Sequence, residues 1–144
     1  MCYQAGVVGP VYTAHVTVRH DELDRFGRLH PAVYLRYLAH AAVEASTAAG
    51  YDAAWYRRAG AMWLVRRSTL EYLEGARYGD QLGISTWFAW APAALDAHQR
   101  IARAGGERPL VRVSTGWRWV AAAGGAPLAA PDGVRAALGP LLAA

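Results

Sequence analysis

Three acids stand close together early in this chain, Asp21, Glu22 and Asp24, and His30 follows them. Neighbouring carboxylates can divide acid and base work between them, although Asp21 and Glu22 also fit a solvated loop. Asp24 lies in a polar stretch, Asp21 to His30, that is interrupted by Gly27. An aspartate in such a stretch can also hold the N–H groups of a turn. His30 precedes Pro31, which stands where prolines open helices, so its side chain can cap that helix or meet a ligand. Glu44 projects from the middle of the same helix as a further carboxylate. His15, His20 and His98 read as surface strand residues and His40 as helical. No spacing among the five histidines suggests a metal site, and no cofactor is expected.

The elements that must position these residues follow from periodicity. Val11 to His20 alternates, with Tyr12, Ala14, Val16 and Val18 on one face, as a half-buried strand does. From Pro31, apolar residues recur at helical spacing (Val33, Tyr34, Tyr37, Leu38, Ala41, Ala45), with Gly50 as the stop. This predicts a helix of about 28 Å, whose alanines leave room for a sheet to pack closely. A short helix over Asp52 to Ala59 ends at Gly60. Four strands are expected next, Met62 to Tyr72, Gln81 to Ala91, Leu95 to Ala104 and Leu110 to Val120, with a terminal helix over Gly133 to Leu138. Short connections favour antiparallel neighbours. A long apolar helix and an antiparallel sheet with one apolar face are both satisfied if the sheet curls around the helix. The expectation is one α+β domain over residues 1–144, a hotdog fold.

Composition narrows the classes of partner. The chain has 144 residues, 54% of them hydrophobic and 18% charged, which suits a globular domain. No apolar run approaches the ~20 residues of a bilayer crossing, and Met1 to Pro10 does not read as an export signal. The single cysteine, Cys2, excludes a disulfide framework within the chain, and the cytoplasm is the default compartment. All 15 basic residues are arginine and the net charge is +4, yet they scatter and never cluster beyond pairs such as Arg66-Arg67. That weighs against nucleic acid and leaves room for an acidic protein or a phosphate-bearing ligand.

Two stretches carry a family resemblance. Val18 to Gly27, continuing through Val33-Tyr34-Leu35-Arg36-Tyr37-Leu38, resembles the 4-hydroxybenzoyl-CoA thioesterase family, with an aspartate, a glycine three residues later and a tyrosine-bearing helix start. Arg66 to Asp80 is similar to that family's second strand and following turn, and Gly125-Ala126-Pro127-Leu128 with Pro131 fits its tail.

The resemblance implies an acyl thioesterase in which Asp24 is base or nucleophile, with an N–H at the start of the central helix stabilising the oxyanion. It further implies that Gly27, Pro31, Tyr34, Arg67, Ser68 and Arg77 lie at the substrate. One departure matters. The family's N–H donor falls at Pro31, which has no N–H. Either Ala32 donates instead or the His30 imidazole takes over. The arginine used by the related enediyne-pathway enzymes corresponds to Ala42, which does not support that mechanism.

CoA-hydrolysing members often place basic residues where the third strand turns into the fourth. Here Trp90-Ala91-Pro92-Ala93-Ala94 carries none, which favours an acyl carrier protein bearing a fatty or polyketide chain. A dimer or tetramer is expected, because a curled sheet leaves an edge strand unpaired. Two alternatives are a hotdog hydratase or dehydratase and a catalytically silent acyl-binding protein.

Overall fold

The period-two segments assemble into a five-stranded antiparallel sheet that curls around one long helix, the hotdog arrangement. The computed structural model describes residues 12–91 and 94–134. Strand β1 (Tyr12–Thr17) leads to a 3-10 turn (His20–Glu22), helix α1 (Pro31–Ala48) and helix α2 (Ala53–Ala59). Strands β2 (Ala61–Tyr72), β3 (Gln81–Ala91), β4 (Ala94–Arg103) and β5 (Pro109–Ala121) follow. Their order in the sheet is β1-β3-β4-β5-β2. The β3–β4–β5 meander follows from short connections, whereas the two helices between β1 and β2 send those strands to opposite edges.

β2 to β5 lie within a residue of their expected bounds at each end. β1 is shorter than expected, because the Val18 N–H donates to Asp80 O at 2.9 Å and Val18 O accepts from Gly79 N at 3.0 Å. The chain then winds into the 3-10 turn, which carries His20 off the strand. Of the expected terminal helix, residues up to Val134 are helical and the remainder lies outside the described residues, as do Met1 to Pro10, Val11, Pro92 and Ala93.

Helix α1 buries Val33, Tyr34, Tyr37, Leu38, Ala41 and Ala45 against a sheet face that includes Leu82, Ile84, Ile101, Val111 and Val113. Each large aliphatic side chain there contributes roughly 1.5–3 kcal/mol by leaving water. Ala41, with no exposed surface, lets the sheet approach the helix axis. At the centre, Gln99 Nε2 donates to Leu38 O at 2.9 Å and to Thr86 Oγ1 at 3.1 Å, so this buried amide is satisfied where sheet meets helix.

β2 differs from the other strands. It is an edge strand of 12 residues, and Ala61 is its only buried member. Met62, Leu64 and Val65 are exposed on it, and so is Val43 on α1, which lines the same cavity as Met62. A long edge strand, apolar over Met62 to Val65, is a template for pairing with another chain. Among the described residues no helix is long and apolar enough to cross a membrane.

Candidate active site

Asp24 opens a tight loop ahead of α1. Its Oδ1 accepts from the N–H of Phe26 at 2.8 Å and of Arg28 at 3.1 Å, and its own N–H donates to Arg28 O at 2.7 Å. Gly27 takes φ +76° to close the turn, a conformation that costs glycine nothing. Oδ2 has no hydrogen bond among the described residues. One oxygen therefore holds the turn while the other stays available.

His30 is the N-cap of α1. Its Nδ1 accepts from the Ala32 N–H at 3.1 Å, and Pro31 occupies the first helical position. A nitrogen that accepts cannot carry the proton, so the neutral ring bears it on Nε2. The helix thus begins with a proline that has no N–H, an Ala32 N–H already engaged, and an exposed imidazole N–H.

The loop Glu74 to Asp80 forms the other wall. Leu29 N–H donates to Ala76 O at 2.8 Å, and Arg28 and Arg77 make an antiparallel bridge. Arg103 clamps this loop through Asp80 Oδ2 at 3.1 Å, Glu74 Oε1 at 3.1 Å and Gly75 O at 3.2 Å. Tyr34 lies beneath it at 3% exposure, its hydroxyl oxygen accepting from the Ala76 N–H at 3.0 Å. Tyr34 therefore supports the wall from below. Tyr72, at the end of β2, donates to Pro31 O at 3.3 Å and meets the Tyr34 ring edge-on. Sequence reasoning missed Tyr72 at this site, and its only signal was its place within the second motif, at the end of the expected strand Met62 to Tyr72.

Gly27 and, through the Arg28 bridge, Arg77 are thus tied to the Asp24 loop, and His30, Pro31 and Ala32 follow it at the start of α1. Arg67 and Ser68 do not. They sit mid-strand on β2, with Ser68 Oγ 3.3 Å from Thr115 Oγ1, roughly 13–16 Å from Tyr72 at ~3.3 Å per strand residue.

The other acids have structural partners. Asp21 pairs with Arg19 at the surface. Glu22 is not a solvated loop residue, as the sequence suggested, but only 7% exposed. Its Oε1 accepts from the Arg19 N–H at 2.9 Å and the Tyr37 hydroxyl at 2.7 Å, its Oε2 from Arg36 at 3.2 Å, and its carbonyl from the His30 N–H at 3.0 Å. It fastens the loop to α1. Glu44 accepts from the Tyr12 hydroxyl at 3.0 Å and pairs with His40 at 2.9 Å. That is about 20 Å along the helix from Pro31. Among the described residues no group of His, Cys, Asp and Glu could hold a metal ion.

Burial, followed by the Glu22 carboxylate, pushes the Tyr37 hydroxyl well above its ordinary value near 10. Burial likewise raises Tyr34 and Tyr56. A raised native value means that the fold holds these protons more tightly than the unfolded chain does. Their contribution is complete below pH ~10 and is lost as pH rises from there toward the native values. Urea midpoints should fall above pH ~10, and Tyr37→Phe should flatten that fall.

Comparison with known proteins agrees with this architecture. The Thioesterase-like superfamily matches residues 18–138. A 1,4-dihydroxy-2-naphthoyl-CoA thioesterase from Synechocystis superposes with a TM-score of 0.80 at 14% identity, covering 90% of this chain and 96% of its own. A Staphylococcus aureus protein solved in complex with CoA gives 0.83 at 12% identity, covering 94% and 86%. A hypothetical protein from Thermus thermophilus gives 0.79 at 26% identity, covering 90% and 98%. No curated relative matches the sequence. The match is to the superfamily as a whole, broader than the 4-hydroxybenzoyl-CoA thioesterases that the motifs resemble. With its hotdog sheet and the family's match over most of its length, the chain belongs to the Thioesterase-like superfamily and is a thioester hydrolase.

Proposed function

We propose that the chain hydrolyses fatty or polyketide acyl thioesters as an edge-paired dimer, with Asp24 as base, as the resemblance to the 4-hydroxybenzoyl-CoA thioesterases implies, and His30 as oxyanion donor in place of that family's helix N–H. The observation that carries this is the free Oδ2 of Asp24 on a loop whose backbone pairing, Asp24 with Arg28 and Glu22 with His30, leads directly into the capped start of α1. Asp24 removes a proton from water, whose oxygen bonds to the thioester carbonyl carbon. The resulting oxyanion accepts from His30 Nε2–H and lies near the positive end of the α1 dipole. Collapse breaks the C–S bond, and the thiolate leaves and takes up a proton. His30 is favoured over Ala32 as donor because the Ala32 N–H is already bonded to Nδ1. Free thiol released from an acyl thioester by the wild-type protein tests the reaction.

The dimer joins through β2. That strand runs opposite to α1, since Tyr72 meets Pro31 while Met62 and Trp63 line a cavity with Ala42 to Thr47. The cavity lies about 17–24 Å along α1 from its own Pro31. Antiparallel pairing of two β2 strands about their middle sets the Tyr72 end of one copy beside the Met62 end of the other. The cavity of one copy then faces the Asp24 of the second, and Arg67 and Ser68 fall at the centre of the junction. Wild-type protein should sediment as a dimer or larger at micromolar concentration. Val65→Arg should shift it toward monomer and lower activity together, and an active wild-type monomer would contradict the arrangement.

The carrier is proposed to be an acyl carrier protein. Residues 90–94 bear no positive charge to grip nucleotide phosphates, while Arg66, Arg67 and Arg77 are exposed and can meet an acidic carrier. For one acyl chain, kcat/KM should be higher on the carrier than on CoA. The advantage should shrink with added salt, because exposed charges act mainly on encounter. Substitution of each arginine by Ala identifies the contributor.

A further inference from the structure

An apolar cavity of about 260 Å³ lies between the second half of α1, α2 and the inner face of the sheet. Phe88 and Leu95 are its buried members, at 5% and 2% exposure, and form the floor; Val43 and Met62, at 64% and 40%, form the mouth. Ala42, Trp63 and Trp117 complete the wall.

Its hydroxyl groups are already committed to the protein. Ser46 Oγ donates to Tyr51 O at 2.9 Å and meets the Tyr56 hydroxyl at 2.7 Å. Thr47 donates to Val43 O at 2.8 Å, and the Tyr51 hydroxyl to Gly133 O at 2.8 Å. Trp117 Nε1 lacks a hydrogen-bond partner but is buried out of reach of a ligand. An occupant therefore finds apolar surface and no free hydrogen-bond donor.

We infer that this cavity is the acyl-chain pocket and selects an apolar acyl group of about ten carbons without a distal keto group, a selection that rests on the hydrolytic dimer proposed above. A cavity of ~150 Å³ holds benzene, roughly 25 Å³ per carbon, so the volume here accommodates on the order of ten carbons. Phe88 sets the depth and Ala42 the width. A distal keto group, which can only accept, would enter without a donor, which costs roughly tenfold or more in affinity. Each methylene gained inside the pocket contributes about fourfold.

The test uses pantetheine thioesters of saturated acids from four to sixteen carbons, with calorimetric binding of the corresponding free acids. Both kcat/KM and affinity should rise about fourfold per methylene and stop rising near ten carbons. Decanoyl and naphthoyl thioesters, both near this volume, distinguish a flexible chain from a planar ring system. Ala42→Leu, a substitution a helix tolerates well, should shorten the limit by about three carbons, and Phe88→Ala should lengthen it by about four. Should Phe88→Ala fail to fold, Ala42→Leu carries the test alone.

A limit that neither variant moves, or an oxodecanoyl group with a distal ketone handled as well as decanoyl, overturns the assignment. Hydrolysis that ignores chain length overturns the pocket and leaves the thioesterase reading intact. Length-dependent binding that responds to Ala42→Leu, with no hydrolysis of any thioester, supports the pocket and removes the reaction instead.

Discussion

Asp24→Asn should lower kcat by about 10²–10⁴-fold, the contribution of a positioned general base, and leave the fold nearly unchanged. Asparagine keeps the side-chain oxygen that accepts from the Phe26 and Arg28 N–H groups, so the turn survives. What it loses is the basic carboxylate at Oδ2. Asp24→Ala should lose the same activity and some stability as well, since two loop N–H groups lose their acceptor. Steady-state kinetics and thermal melts on both variants separate the two roles of this side chain. Activity of Asp24→Asn within threefold of wild type would transfer the base to Glu44, despite the hydrogen bonds that now occupy it.

His30→Ala should reduce kcat by about 10²–10³-fold, the usual effect of deleting an oxyanion donor, with little change in KM, because the contact forms only in the transition state. The substitution also removes the cap on Ala32, which should cost about 0.5–2 kcal/mol of stability. The same change liberates the Ala32 N–H. Were that N–H the true donor, His30→Ala would retain or gain activity at equal protein stability, which would assign the role to Ala32.

The periodic signals carried most of this architecture. Alternation in β1 and the 3.6-residue recurrence from Val33 to Ala45 marked which faces are buried. Asp52 and Gly60 capped α2 as their residue types suggest, with Asp52 accepting from the Trp55 N–H at 2.8 Å and Gly60 at φ +63°. The position of Asp24 in a turn ahead of a proline-initiated helix was equally legible.

Features that depend on distant partners were not. Glu22 reads as a polar loop residue because Tyr37 and Arg36, which bury and pair it, lie a full helical segment away. The Tyr72 contact with Pro31 spans a strand and two helices. The place of β2 in the sheet order was likewise invisible, since nothing local in it says that it pairs with β5 and leaves its other edge open. The cavity formed by Trp63, Trp117 and Phe88 depends on that order too. Aromatic residues on strands look alike until the strands are placed.

Thiol release from decanoyl-pantetheine and from its 2-enoyl counterpart, followed together with the acyl product, tests the central claim most directly. The account predicts one free thiol and one carboxylic acid per turnover from both substrates, with the enoyl double bond intact. Hydration of the enoyl thioester without thiol release would make the chain a hydratase. Tight binding of both with no turnover would make it an acyl-binding protein, and either result would contradict hydrolysis at Asp24.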